Sequence, residues 1–482
     1  MKIPERGWTR EQVFAQLERY RAGDTPWREG RTWAYVYDPG PEAEAVIKDA
    51  FASYLGENGL DPTAFPSALQ MENEVVAMAA AHLHGDDQVA GSFTSGGTES
   101  LILAVKAARD RARALQPHIR EPEMVLPETA HASFHKAAHY LDVKPVVVPV
   151  DPVTYRADVG AMRRAITKQT ILLVGSAISY AHGVVDPIRE LGELALEKNL
   201  LLHVDGCMGG FLLQYFARLG APVPEYDFRV PGVTSISMDL HKYAFAAKGA
   251  STILYRTKEL RKYQMYACSN WTGYTVINST VQSTKSAGPV AAAWAALKFI
   301  GDDGYLELTR KAKQATDRIV AAIGEMPDLR LLGRPEMNLI AFASDTVSVF
   351  HIADEMRQRN WFVQPQLAYT CSPANIHLSI NPASAKWVEP MLEDLRASIE
   401  AARALPSGAL AATIKETFGH LQPDQVDEAM FQGMLGAAGI TGTALPSRMA
   451  EINEVLNALP VALRERLLVE YLNELYRQPR VG

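Results

Sequence analysis

At 482 residues, with 48% hydrophobic and 21% charged residues, the chain is long enough for two or three domains with sizeable cores and has the composition of a soluble globular protein. A formal net charge of −7, without a basic tail or stripe, argues against nucleic acid as a partner. No run approaches the roughly 18 apolar residues of a membrane span, and the opening MKIPERGWTREQVFAQLERYRAGD lacks the apolar core of a signal peptide. Three well-separated cysteines, Cys207, Cys268 and Cys371, have no metal-ligand spacing and read as reduced thiols of a cytoplasmic protein.

Residues 1–65 read as an N-terminal arm. Residues 11–21 and 42–54 have helical patterns, and the aromatic, β-branched stretch 31–40 reads as extended, ending in a turn at Pro39-Gly40. Arms of this kind wrap a partner subunit or cap a domain. Residues 66–300 read as a large α/β domain. A helix is expected over 72–83, then the small-residue turn Ser95-Gly96-Gly97-Thr98 leading into a helix over 99–113. Short apolar runs at 124–126, 145–150, 170–175, 200–204, 235–238 and 251–255 alternate with helical stretches at 134–141, 159–167 and 188–198. That alternation predicts a mostly parallel central sheet covered by helices on both faces, with ligands beyond the carboxyl ends of its strands.

Long helices over 288–299 and 305–323 leave this domain. Residues 301–405 read as a smaller C-terminal α+β domain, with strands at 339–343, 361–364 and 376–380 and helices at 347–359 and 387–405. The extension 406–482 reads as helical, broken by a Gly/Pro-rich loop around 436–446 and closed by a helix over 461–476.

Four features at strand ends could act together. Gly96, Gly97 and Thr98 at a helix start could cradle a phosphate with exposed N–H groups and the helix dipole, although Gly-Gly before a helix is often only a turn. Asp205 ends an apolar strand in LLHVDGCMGG, where a carboxylate needs a partner such as a protonated pyridine nitrogen, or caps the next helix. His131 follows the run at 124–126 and could cover a flat cofactor. His135 and His139 share its helical face, but no acidic ligand is placed nearby and a metal is disfavoured. Lys242, in SISMDLHKYAFAAKG after Asp239 and His241, sits where burial would desolvate it, lower its pKa and make its amine a nucleophile toward aldehydes. An anion cradle, a covering ring, a carboxylate and an amine are what pyridoxal 5′-phosphate requires: phosphate at the helix start, pyridinium at Asp205, and the aldehyde at Lys242 as a Schiff base.

The strings FTSGGTES, HASFHKAA, HVDGCMGGF, GVTSISMDLHKYAFAAKG and NWTG resemble the fold-type-I pyridoxal-phosphate enzymes of the group II decarboxylase superfamily, and within it the sphingosine-1-phosphate lyases. The resemblance runs from about Trp33 to Ala402. It implies a homodimer with active sites between subunits, Lys242 as the Schiff-base lysine, Asp205 at the pyridinium and His131 stacked on the ring. It also implies Ser95, Gly96, Gly97, Thr98 and His241 around the cofactor phosphate. Lys248 matches a lysine expected to face a substrate phosphate, and Tyr37 matches a tyrosine of the arm.

The chain departs from the lyase pattern at three places. Asp61 stands where the lyases have histidine, Val276 where they have tyrosine, and Lys285 where they have arginine, a change that gives up bidentate anion binding. Lys248, Tyr37, Asp61 and Lys285 are therefore the expected substrate-binding set. Retro-aldol cleavage of a phosphorylated sphingoid-like amino alcohol is the preferred reading. Decarboxylation of an amino acid, with a small amine or amino-acid substrate, stands beside it. A catalytically silent partner-binding relative is the third reading, and the intact Lys242, Asp205 and His131 argue against it.

Overall fold

Strands with no polar face can be buried on both sides only if helices cover both. That arrangement is present in a computed structural model, which describes residues 2–426 and 446–476 together with Met430, Gly433 and Gly436. Seven strands form the central sheet: β1 (Ala90–Thr94), β2 (Glu123–Pro127), β3 (Lys144–Val148), β4 (Thr170–Ser176), β5 (Leu201–Asp205), β6 (Ser235–Met238) and β7 (Ser251–Tyr255). Their order is β1-β7-β6-β5-β4-β2-β3. The ladder from β6 to β3 is parallel, and β7 runs antiparallel to both of its neighbours. β2, β4, β6 and β7 are buried at every residue. Because β1, β2, β4, β5 and β6 point the same way, their carboxyl ends share one edge of the sheet, and the loops leaving that edge carry the residues singled out above.

The helix Gly97–Leu115 buries Leu101, Ala104, Val105, Ala108 and Ala112, an i, i+3, i+4, i+7, i+11 stripe that fixes its N-terminus beside β1. The helix Pro66–His82 begins well before the expected 72, because Pro66 at its first turn has no N–H to leave unpaired and brings φ already set.

A two-stranded hairpin, β8 (Tyr266–Cys268) with β9 (Val276–Asn278), follows the central sheet. The helix Ala287–Gly324, interrupted at Gly301 (φ 66°), then leads to an antiparallel sheet of β10 (Leu329–Leu331), β11 (Leu339–Ser344), β12 (Gln364–Gln366) and β13 (Asn375–Ser379), in the order β10-β11-β13-β12. The core of this smaller unit contains Ile319, Phe342, Ile352, Trp361, Ile376 and Leu392, and Trp33 of the N-terminal segment is buried among them. Trp33 is held by backbone bonds from Ser379 N (2.7 Å) and to Phe362 O (2.9 Å). Stretch 31–40 is thus not a strand: it makes one isolated bridge, Thr32 with Phe362. The strand expected at 361–364 forms later, at β12, because Trp361 N is still bonded to Met356 O (3.0 Å) at the end of the preceding helix and Phe362 bridges to Thr32 rather than to β13.

The first helix, Arg10–Arg21, is closed by a Thr9–Gln12 capping box and buries no residue of its own chain. At the other end, the helices Ala409–Phe418, Ala450–Ala458 and Val461–Leu475 share a small core of Ile414, Val426, Leu459 and Leu463. They dock on the smaller unit through the buried carboxylate of Asp354, which accepts from Met449 N (2.9 Å) and Ala450 N (2.8 Å) and so caps a helix distant in sequence. The loop expected around 436–446 lies outside the described residues apart from Gly436 and Pro446. Among the described residues no helix is long and apolar enough to cross a membrane.

Candidate active site

The turn Ser95–Thr98 joins β1 to the helix Gly97–Leu115, so the first N–H groups of that helix open at the carboxyl edge of the sheet. Gly97 is required there. A Cβ would stand 2.7 and 2.8 Å from the two carboxylate oxygens of Asp239 and 2.9 Å from Cys207 Sγ. Glu99 stitches the turn together, accepting from Ser95 N (2.6 Å) and from Val281 N (2.8 Å), which ties the segment after β9 to the cradle. The hydroxyl of Thr98 meets Ser133 Oγ at 2.8 Å, and Ser133 Oγ meets His131 Nδ1 at 3.0 Å. Ser133 N also donates to that nitrogen (3.2 Å). The cradle and the ring expected to cover the cofactor are therefore connected by one serine, and His131 is exposed on the single chain.

Asp205 closes β5 and is 6% exposed. Its Oδ1 accepts from Cys207 N (3.0 Å) and Ser237 Oγ (3.4 Å), leaving Oδ2 without a protein donor among the described residues. After β6 the chain turns through Asp239, His241 and Lys242. Lys242 Nζ lies 3.0 Å from Asp239 Oδ2, an i, i+3 pair, and His241 Nε2 is 3.6 Å from the same oxygen. His241 Nδ1 accepts from Ala250 N (3.2 Å), and burial lowers its pKa.

This turn corrects one expectation. Burial does act to lower the pKa of Lys242, but the Asp239 carboxylate overcomes it, with Cys207, Tyr37 and Asp205 adding in the same direction, and the amine stands well above the ordinary lysine value. Asp239 is in turn held below the ordinary carboxylate range: burial opposes this, and the Lys242 ammonium, with a smaller influence from the His241 ring, outweighs it. Its other oxygen, Oδ1, is buried without a hydrogen-bond partner.

Tyr37 reaches this turn from the N-terminal segment. Its ring packs edge-on to Tyr243 (centroids 5.0 Å apart), and Lys248 Nζ lies 4.4 Å from its centroid. Burial pushes the Tyr37 hydroxyl up to about 12, so it holds its proton at neutral pH. Lys248 is exposed along its length, yet its amine sits in a recess and donates to His241 O (3.4 Å). Burial of that amine, and then the neighbouring Lys242 charge, bring it down to about 8.

Two expected substrate residues are engaged elsewhere. Lys285 Nζ is 2.6 Å from Glu72 Oε1, in a pair with side chains only 12% and 17% exposed, and Glu72 also accepts from Phe93 N (2.9 Å). Lys285 lines a cavity of about 210 Å³ that also touches Ser95, Glu99 and Gly249, so it borders the cradle with its charge already matched. Asp61 is exposed and closes its own turn, accepting from Thr63 N (2.8 Å) and Thr63 Oγ1 (2.6 Å). Its segment nevertheless runs beside Lys285: Gly59 N donates to Lys285 O (2.7 Å), and Lys285 N to Asn58 Oδ1 (3.1 Å). Val276 begins β9.

Sequence reasoning gave no role to Asp239, Glu99, Ser133 or Tyr180. The first two had readable signals, three residues before the lysine and three after the residue that precedes the helix. Tyr180 had none. Its hydroxyl donates to Gln364 (2.7 Å) and its ring stacks on His377 at 4.5 Å, both from the smaller unit, while Tyr37 and Lys242 act on its charge from the turn.

Three observations fit pyridoxal 5′-phosphate: a helix N-terminus kept open by Gly97, a strand-end carboxylate with one oxygen unsatisfied, and an amine held at the centre. The family model described as the pyridoxal-dependent decarboxylase conserved domain matches residues 2–345, and that for a C-terminal HTH domain of pyridoxal-dependent enzymes matches residues 409–474. The sphingosine-1-phosphate lyase of Arabidopsis thaliana is 40% identical over 411 residues, covering 83% of this chain and 74% of that one. A protein of Pyrococcus furiosus named "Probable L-aspartate decarboxylase" is 32% identical over 369 residues, 77% of this chain and 96% of that one. The solved structure of a Burkholderia pseudomallei sphingosine-1-phosphate lyase superposes with a TM-score of 0.80 at 35% identity, covering 86% of this chain and 96% of that one. The chain belongs to the pyridoxal-dependent decarboxylase family, on the side of the sphingosine-1-phosphate lyases, and is a pyridoxal-phosphate-dependent lyase.

Proposed function

We propose that the chain is an aldehyde-lyase that cleaves the Cα–Cβ bond of a phosphorylated long-chain amino alcohol by retro-aldol chemistry, releasing a long-chain aldehyde and phosphoethanolamine. The observation that carries this reading is the second amine of the site. Lys248, over Tyr37 and near enough to Lys242 to feel its charge, is a cation that no carboxylate among the described residues neutralises by direct contact. Lys285, matched by Glu72, leaves that task to Lys248. The substrate on this reading is a lipid amine rather than a small amine or amino acid.

Bound pyridoxal 5′-phosphate supplies an electron sink for a bond breaking at the substrate's Cα. Lys242 would hold the cofactor through its amine. Asp205 would face the ring nitrogen, His131 would cover the ring, and Ser95, Gly96, Gly97, Thr98 and His241 would hold the phosphate. Tyr37, protonated at neutral pH, donates toward the substrate. Retro-aldol cleavage also requires a base for the substrate's hydroxyl proton.

We infer further that the active unit is a homodimer with its sites between subunits. The helix Arg10–Arg21 leaves Val13, Phe14, Leu17 and Tyr20 exposed on one chain, and Trp271, Tyr274 and Ile277 stand exposed around the β8–β9 hairpin. The segment 409–474 carries four Lys/Arg against nine Asp/Glu, a balance opposite to that of a surface for nucleic-acid phosphates. The three unpaired thiols suit a reducing compartment such as the cytoplasm.

Turnover of dihydrosphingosine with and without its phosphate tests the reading. The phosphorylated form should be preferred by about ten- to hundredfold in kcat/KM, as expected for a charge-assisted contact, and Lys248→Ala should erase most of that preference. Equal turnover of the two forms would remove the phosphate from the proposal.

A further inference from the structure

Beneath Asp205 lies a set of polar side chains that the reaction outlined above does not use. β5 and β6 are parallel, with His203 registered opposite Ser235 and Asp205 opposite Ser237. Alternation along each strand puts all four side chains on one face. His203 Nδ1 meets Ser235 Oγ at 2.8 Å, and His203 Nε2 meets Ser237 Oγ at 3.3 Å. Ser237 Oγ also lies 3.2 Å from Cys207 Sγ and 3.4 Å from Asp205 Oδ1. His203 and Ser237 are 0% exposed, in an interior where an unmatched polar atom is costly.

We propose that His203 and Ser237 are positioning residues of the reaction: a directed hydrogen-bond chain, Ser235 to His203 to Ser237 to Asp205, fixes the Asp205 carboxylate and keeps the shared proton on the cofactor's ring nitrogen. The proposal rests on the assignment of Asp205 as the ring-nitrogen partner and adds what keeps Asp205 in that role.

The direction follows from counting protons. Burial drives the His203 ring down to about 4, so it is neutral and carries one proton. The Asp205 carboxylate is the charge acting on the ring, and it favours the tautomer whose N–H points toward it, at Nε2. Nδ1 then accepts from Ser235. The Cys207 thiol, pushed well above its ordinary value by burial and by the nearby Asp205 and Asp239 carboxylates, keeps its own proton. Ser237 has two lone pairs and one hydrogen. Nε2–H and S–H occupy the lone pairs, and the hydrogen is left for Asp205 Oδ1. With Cys207 N and Ser237 Oγ both on Oδ1, the carboxylate is fixed in orientation and Oδ2 is left to face the ring nitrogen. The long 3.3 and 3.4 Å links leave room for the chain to tighten when that positive charge arrives.

The test uses the cofactor-loaded enzyme with the pyridine nitrogen labelled with ¹⁵N, and Ser237→Ala, Ser237→Thr, His203→Gln and Asp205→Asn variants. In the starting protein the ring nitrogen should give a pyridinium shift, and His203 the shift of a neutral ring protonated at Nε2. Ser237→Ala should move the cofactor signal toward neutral pyridine and lower kcat by about tenfold with little change in KM, the effect of about one pKa unit. Ser237→Thr, which restores the hydroxyl, should return both, and His203→Gln, which restores an N–H donor, should lie between. Pyridinium signals unchanged in both Ser237→Ala and His203→Gln, with Asp205→Asn alone losing its own, would overturn the chain while leaving the Asp205 assignment intact. A pyridinium signal that survives Asp205→Asn would overturn both. An Nδ1-protonated His203 would also overturn the proposal.

Discussion

Replacing Asp239 with asparagine tests the electrostatics of the site most sharply. The substitution keeps the shape and removes the charge 3.0 Å from Lys242 Nζ. At an effective dielectric near 20, two unit charges at that distance attract by about 5 kcal/mol. Burial of both side chains offsets part of this, and the sum leaves Lys242 above the ordinary lysine value. Without Asp239 the burial penalty is opposed only by the weaker influence of Cys207, Tyr37 and Asp205, and the amine should fall. Capture of the cofactor aldehyde needs the neutral amine, and each pKa unit is tenfold in its fraction. Apoenzyme mixed with pyridoxal 5′-phosphate near pH 7.5 should therefore develop the visible absorption of the lysine-bound cofactor at least tenfold faster in Asp239→Asn, with the pH midpoint of that rate moved down. The stability contribution has the opposite sign. The native pair contributes between the ordinary carboxylate and ordinary lysine values. It is lost as acid passes the lowered Asp239 value or base the raised Lys242 value, so the variant should melt lower between those limits. An unchanged loading rate and midpoint would refute the claim that Asp239 governs the amine.

Gly97→Ala places a Cβ 2.7 Å from a buried carboxylate oxygen, so the variant should lose about 1–3 kcal/mol by thermal melting and bind pyridoxal 5′-phosphate markedly more weakly. Normal cofactor affinity would show that the turn can move aside. Lys248 carries its charge below about 8, so 1/KM for a phosphorylated substrate should fall as pH rises through that value, and Lys248→Arg should keep the affinity to higher pH. A flat profile in both would place the substrate anion elsewhere. Asp354→Ala removes the cap on the helix Ala450–Ala458 and should cost about 1–2 kcal/mol, read as earlier proteolysis within 406–476 with turnover retained. Loss of turnover without loss of cofactor would instead tie the C-terminal helices to the reaction.

Much of the large domain could be read from the chain because its signals are local. The run at 251–255 is β7, and the helical pattern at 188–198 is a helix over those residues, since period and length together distinguish strand from helix. Ser95–Thr98, His131, Asp205 and Lys242 could be ordered along the sheet edge because each follows an apolar run. What stayed hidden depends on distant partners. β10 and β8 are three-residue strands defined by their pairing, and neither holds a pattern of its own. Stretch 31–40 has strand composition, yet Trp33 is drawn into the core of the smaller unit and no ladder forms. Lys242 was misjudged because burial argues for a lowered pKa, and only the turn geometry brings Asp239 to its amine. Lys285 reads as a free cation until Glu72 arrives from a helix 213 residues earlier. Tyr180 owes its place to Gln364, 184 residues away.

Product analysis by mass spectrometry tests the central claim most directly. The cofactor-loaded protein is incubated with dihydrosphingosine 1-phosphate and, separately, with a panel of amino acids that includes L-aspartate. The account predicts a long-chain aldehyde together with phosphoethanolamine from the first and no reaction from the second. An amine lighter than an amino acid by one carbon dioxide, with no aldehyde from the lipid, would contradict it and identify the chain as a decarboxylase.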